Sequence, residues 1–216
     1  PTDLPPWSTV DRWFAAWRDH CVCERINHAL VTAARERTGR EASPSAAIIE
    51  EREDDEAGGP RGYDGGKKIK GRKRHALVDT DGRVLLIEPH RASVQDRDGG
   101  GARLRISKRF FPFVTRVFAD GACDHERVTA ATAITVEIVR QLPDQAGFVV
   151  LPRRWVVARL FAWLGRNRRL AKDLEATIAS AAAFLYATSG MLLRDAAEGC
   201  HELRNRLQEG QDESIF

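Results

Sequence analysis

Glu50 closes the apolar run AAII and Asp120 closes the apolar run VFA, so each carboxylate stands where a buried strand would leave a sheet. Such strand ends are frequent ligand positions. Two carboxylates at the ends of neighbouring strands could hold a divalent metal, whose preference for hard oxygen donors and affinity for phosphate suit nucleotidyl chemistry. The plainer reading of Asp120-Gly121 is a turn. Beside these acids lies GGKKIKGRKRHALVDTDG, in which Lys67, Lys68, Lys70, Arg72, Lys73 and Arg74 crowd together. Glycines at 58, 59, 62, 65, 66 and 71 would let backbone N–H groups approach phosphates. A second group, Arg153, Arg154, Arg159, Arg166, Arg168 and Arg169, could extend the same cationic track along a nucleic-acid backbone. The alternative for both groups is a solvated surface or an exposed helix face.

The elements that must position these residues follow from periodicity. Residues 7–38 repeat apolar positions at helical spacing, with Ser8 or Thr9 as cap and Gly39 as stop, and Trp7, Trp13, Phe14 and Trp17 are expected to form the core of this small helical region. Base stacking by these aromatics is the second option. EASPS reads as a linker, AAII as a buried strand that the acidic run EEREDDE ends, and RHALVDT and RVLLIEPH as strands flanking a hairpin at Asp81-Gly82. Residues 95–110 suit a short helix, TRVFADGA a strand, and AITVEIVRQL and GFVVLP further strands. From Arg153 to about Leu193 the pattern is helical, interrupted near Lys172–Ala176. This order predicts a three-layer α/β domain on a mixed sheet.

At 216 residues, 43% hydrophobic and 30% charged, the chain can bury a core and is not of disordered composition. A net charge of +3 says little about partners, but the charges are sorted into blocks, which permits a strong local field on a nearly neutral molecule. Cys21, Cys23, Cys123 and Cys200 lack zinc-site pairing and read as reduced thiols of a cytosolic protein. No apolar run is of membrane-span length and no signal-peptide pattern is present. Because the sequence opens on Pro1, an upstream part is expected.

Several blocks then occur in a telling order: AGGPRGYDGGKKIKGRKRHALVDTDG, SVQDRDGG, VFADG, GFVVLPRRWVV and FAWLGRNRRLAKDLEATIASA. Over residues 5–193 they closely resemble bacterial insertion-sequence transposases of the DDE superfamily, in the group named after insertion sequence five, within the larger group named after insertion sequence four. The resemblance implies an RNase H-like catalytic domain over 43–193, preceded by an N-terminal helical region over 1–42 that binds DNA or dimerises, and followed by an atypical polar tail over 194–216. It implies that two Asp and one Glu hold two Mg2+ ions for DNA strand cleavage and transfer. DNA, as transposon ends and target, is then the partner, with a homodimer as a further option, in a bacterial cytoplasm at the nucleoid. Lys67, Lys68, Lys70, Arg72, Lys73, Arg74, Arg153 and Arg154 become the phosphate-binding set.

Residue by residue the resemblance is incomplete. The first Asp of the family, in a context like IIDSQSVK, is matched by Glu50 in IIEEREDDE, and Asp120 matches the second. The family signature of Arg, three residues and the catalytic Glu is met by Arg154 and then Ala158, while the flanking Tyr and Lys meet Leu151 and Gly165. Metal ligation is thus expected of Asp120 and Glu50 only, with Ala158 marking the missing third ligand. Positions 154, 158, 162 and 165 share one helix face and read Arg, Ala, Ala and Gly. Impaired cleavage is expected, either in a decaying copy or in a recruited DNA-binding protein. A third reading, an α/β hydrolase or small-molecule binder with an incidental basic loop, would show no DNA affinity.

Overall fold

In a computed structural model of the protein, the described residues are 4–54, 58–94, 104–120, 129, 132–139 and 153–194. The elements in chain order are α1 (Trp7–Asp19), α2 (Val22–Arg37), β1 (Ala46–Asp54), β2 (Gly62–Asp64), β3 (Ile69–Asp79), β4 (Val84–Arg91), α3 (104–110), β5 (Arg116–Ala119), β6 (Thr135–Ile138), α4 (Trp155–Arg166) and α5 (178–194). The strands form one mixed sheet in the order β2-β3-β1-β5-β6, with β4 also on β3. β3 is antiparallel to β1, β2 and β4, whereas β1–β5 and β5–β6 are parallel. This is the α/β arrangement on a mixed sheet that the element order predicted, and it is the RNase H-like fold that the resemblance implied. The strand expected over GFVVLP and the tail 195–216 lie outside the described residues, as do 95–103 of the expected helix over 95–110.

Strand alternation divides the core between the two faces of the sheet. Ile48, Ala76, Val78, Ile87 and Phe118 point to one side, where Val157, Leu160 and Leu164 of α4 and Leu185 of α5 cover them. Ala47, Ile49, Leu77, Leu86 and Val117 point to the other, against Val31 of α2, Leu104 of α3 and Phe111. Each fully buried aliphatic side chain contributes about 1.5–3 kcal/mol of transfer free energy. The α4 stripe at 156, 157, 160, 161 and 164 is the spacing that makes this segment a helix with one buried face.

The hairpin between β3 and β4 is organised by Asp79. This fully buried carboxylate accepts hydrogen bonds from the backbone N–H groups of Asp81 (3.0 Å) and Arg83 (2.9 Å) and from the guanidinium of Arg35 on α2 (2.5 Å). Gly82 completes the turn at φ 92°, where a Cβ would also meet Val156 Cγ1 at 2.8 Å. The turn pair at 81–82 is therefore seated directly on α4. Asn27 of α2 donates through Nδ2 to Val84 O at 2.9 Å and accepts at Oδ1 from Ser189 Oγ at 2.7 Å. The second N-terminal helix is thus tied to the sheet and to α5.

Three expectations are corrected. The helical run 7–38 is broken at His20 and Cys21, the latter at φ 50°, and α1 begins at Trp7 with Pro6 as its cap residue rather than Ser8 or Thr9. Trp7, Trp13 and Trp17 do not form a core. They stay exposed, and of that set only Phe14 is packed, stacked on Phe184 with ring centroids 4.4 Å apart. The acidic run does not end β1, which continues through Glu50, Glu51, Arg52 and Glu53 to Asp54 because the cations of β3 lie beside it. Cross-strand attraction of opposite charges offsets the weak strand preference of the acids.

Candidate functional site

Glu50 is the fifth residue of β1, and Asp120 directly follows β5, the strand parallel to it. In the parallel pair, Ala46 lies beside Arg116, Ala47 beside Val117 and Ile48 beside Phe118. The pairing ends at Ile48 and Phe118, and Glu50 and Asp120 lie two residues further along their chains. Arg154, at the start of α4, reaches Glu50: its Nη2 donates to Oε1 at 2.5 Å. The other oxygen of Glu50 is buried without a hydrogen-bond partner. One helical turn beyond Arg154, Ala158 is exposed, followed on the same stripe by exposed Ala162 and Gly165. Small side chains there leave an exposed stripe along α4.

A divalent ion needs several oxygen donors free to turn inward. Here the positive charge against Glu50 is supplied by Arg154, and position 158 offers only a methyl group. Among the described residues no group of three or more His, Cys, Asp or Glu side chains is gathered closely enough to hold a metal. The residues described do not make a fitting metal site.

The basic run is corrected more sharply. It enters β3, so its residues alternate between the two faces, and Arg72, Lys73 and Arg74 are buried rather than solvent-facing, the first two at 0% and 1% exposure. Arg72 donates to Asp173 Oδ1 (2.8 Å), Pro60 O (3.0 Å) and Glu175 O (2.9 Å). Arg74, on the same face, donates to Leu170 O at 3.0 Å. Both arginines thus fasten β3 to the segment between α4 and α5. Lys73, on the opposite face, pairs with Asp64 at 2.6 Å and lies 3.7 Å from Glu51. Lys67 pairs with Glu51 and Glu53. Four of the six cations expected on phosphates therefore meet protein oxygens, because an acidic strand and an acidic loop are folded against them. Lys68 and Lys70 are exposed, as is Arg153, whose guanidinium lies 4.0 Å above the Phe118 ring.

The glycines of this region serve packing rather than phosphate approach. A Cβ on Gly58 would meet Leu174 O at 2.6 Å, on Gly59 Ala176 O at 2.3 Å, and on Gly62 Ser93 N at 2.5 Å. Only Gly65 and Gly66, at the β2–β3 turn, face roomier surroundings. In that turn Asp64 Oδ1 accepts from the backbone N–H of Gly66 (2.8 Å) and Lys67 (3.1 Å). With Lys73 as the dominant partner, these bonds hold the Asp64 carboxyl down at about 2. Partial burial disfavours the charge on Lys67, but its hydrogen bonds to Glu51 and Glu53 outweigh this and raise its pKa.

Sequence reasoning did not find the partners Glu51, Asp64 and Asp173, nor the chain in which His75 Nε2 meets Glu51 Oε2 at 3.2 Å while its ring stacks on His90 at 4.6 Å. A signal existed for Glu51. EERED and RKRH have opposite charge and flank one strand pair, and an antiparallel register alone makes them neighbours.

Among known families, the one described as a transposase DDE domain matches residues 34–192, most of the chain. A search of curated proteins found no match. No helix among the described residues is long and apolar enough to cross a membrane.

Two outcomes follow from the charge pairs. Arg72→Met strands Asp173 in the interior and should lower the free energy of unfolding in urea by about 3–5 kcal/mol, with Asp173→Leu in the same chain restoring much of it. A loss below about 1 kcal/mol would contradict a structural role for Arg72. For Asp64, a folded-state pKa of about 2 below an unfolded value near 3.9 means a contribution that is complete above about pH 4 and is lost as pH falls through 2. Unfolding curves at stepped pH should show this acid limb shrinking in Asp64→Asn.

Proposed function

Because this chain belongs to the DDE transposase family, we propose that it is a DNA-binding protein of the insertion-sequence-five group in which metal-dependent strand cleavage is impaired. Members of the family act on DNA in transposition and use divalent metal ions; for this chain the expected ion is Mg2+. The register of β1 and β5 supports carrying the first two family positions to Glu50 and Asp120, and the Arg154 contact supports carrying the third to Ala158.

The observation that carries the reading is the Arg154–Glu50 ion pair. A guanidinium at 2.5 Å uses the oxygen that an ion would take and repels a divalent cation from the same edge. Replacement of Asp by Glu shifts the carboxylate by a methylene, and misplacement on the order of 1 Å costs about 100-fold in rate. Loss of the donor at 158 removes charge as well as geometry. Affinity for DNA does not depend on these groups. Exposed Lys68, Lys70, Arg153, Arg166 and Arg168 can neutralise phosphates without reading bases. A DNA substrate would place the protein at the nucleoid of a bacterial cytoplasm.

On one panel of DNA carrying the element's ends, with and without Mg2+ or Mn2+, gel shift should reveal binding that weakens steeply with salt and does not need metal, whereas nicking should be absent. Robust metal-dependent nicking by the unmodified chain would overturn the reading. Glu50→Asp with Ala158→Glu should bring cleavage to a measurable level. The cationic surface is tested separately. Lys68→Ala and Lys70→Ala should leave stability unchanged, and each that contacts phosphate should reduce the slope of log K against log salt by about 1. An unchanged slope in the double variant would remove the β2–β3 turn from the DNA surface.

A further inference from the structure

A cavity of about 240 Å³ lies where α2, the β3–β4 hairpin, α4 and α5 meet. Its walls are largely aliphatic, from Ala34 of α2, Val84 of β4, Leu160 of α4 and Leu192 and Leu193 of α5, with Trp163 beside them. Three guanidiniums, those of Arg37, Arg83 and Arg159, stand among these side chains against the single carboxylate of Asp81. A mostly apolar hollow with a few convergent polar groups is the form that small-molecule sites take.

These charges differ in how far the protein already satisfies them. Asp81 is paired with Arg40 at 3.0 Å and with Arg83, and Arg83 also meets Asp79 at 3.1 Å, so both are spent on the hairpin. Arg159 is not. It meets no carboxylate among the described residues: its Nη2 donates to the backbone carbonyl of Asp81 at 2.7 Å, while its Nε is buried without a hydrogen-bond partner. The rings of Trp155 and Trp163, 4.5 and 4.9 Å from the guanidinium carbon, hold the group in place. Gly82 makes room for it, since a Cβ there would stand 3.2 Å from Arg159 Nη2. Arg37, in the last turn of α2, is exposed and likewise meets no carboxylate among the described residues.

Each simpler occupant leaves something unmet. A neutral apolar molecule would leave the Arg159 Nε unpaired, and a buried charged donor without a partner is costly. An inorganic anion would leave the aliphatic walls against water. A molecule with an apolar body and one carboxylate satisfies both, because a planar carboxylate matches the guanidinium fork. The volume equals about eight waters at roughly 30 Å³ each, which suits a body of about 10–12 non-hydrogen atoms. We propose that this cavity is a binding site for a compact hydrophobic monocarboxylate, with Arg159 and Arg37 on the carboxylate and Val84, Leu160, Trp163 and Leu192 around the apolar body. The site goes beyond the DNA-binding reading: it uses neither Glu50 nor Arg154, and none of the cations assigned to phosphate lines it.

Calorimetric titration of the full chain with hydrocinnamate, an acid of this size, tests it. Saturable binding at one site is expected, with a dissociation constant on the order of 100 µM for so small a ligand. Hydrocinnamide, which has the same shape without the charge, and inorganic phosphate should each bind about tenfold more weakly or worse. Ala34→Leu, which fills the cavity, should abolish binding, and Arg159→Gln should weaken it about tenfold. Arg37→Ala, at an exposed position, should weaken it about threefold or more with the melting curve unchanged. Absence of saturable binding, equal affinity for the amide, or full affinity in Ala34→Leu or Arg37→Ala would overturn the inference. Phosphate bound as tightly as the acid would reduce the site to an anion contact and overturn it. Displacement of the acid by a DNA duplex, with a lower salt slope of DNA binding in Arg37→Ala, would assign the guanidiniums to the DNA surface and overturn it too.

Discussion

Glu51 and Glu53 on β1 and Lys73 and His75 on β3 point to the same face of the sheet, with Glu51 opposite His75 and Glu53 opposite Lys73. The antiparallel register that pairs them is the constraint on which the rest of the structure turns. A shift of one residue would turn these acids and Lys73 to opposite faces, leaving charges buried without partners. An unpaired buried charge is strongly destabilising, which favours the one register that pairs them. From it follow the extension of β1 past its apolar half, the position of Glu50 on the opposite face, and the placement of Asp64 beneath Lys73.

Buried ion pairs of this kind specify more than they stabilise. Desolvation offsets most of the Coulombic attraction, and the net gain depends on full hydrogen bonding. Arg72 meets that condition with three acceptors from two separate segments, and Arg74 adds a fourth at Leu170 O. The loop carrying Pro60 and the segment at 170–175 are thereby held to one strand, and the close approaches at Gly58 and Gly59 follow from that junction. A run that would be a polyelectrolyte in an unfolded chain becomes a clamp in the folded one.

The same redistribution of charge shapes the candidate site. Arg154 settles on Glu50, so this carboxylate is paired by a side chain of the protein itself. The cores that hold β1 and β5 are built on both faces of the sheet. The stability of this scaffold comes from Ile48, Phe118, Val157 and their neighbours.

Much of the fold was legible in the residues. Strand alternation, the Asp81-Gly82 hairpin and the α4 stripe are local signals, and each depends on neighbours within a few positions. The apolar runs before Glu50 and Asp120 were legible too, and they form the neighbouring parallel strands β1 and β5. What the tertiary structure alone decided was the destination of long-range charge and of exposed aromatics. Nothing within a few residues of Arg72 tells it that Asp173 will be 2.8 Å away, and nothing in α1 reveals that only Phe14 of its aromatic set will find a ring to stack on. Periodicity reports that a face is apolar or charged; whether that face is covered depends on which distant segment arrives, and that is settled only when the whole chain packs.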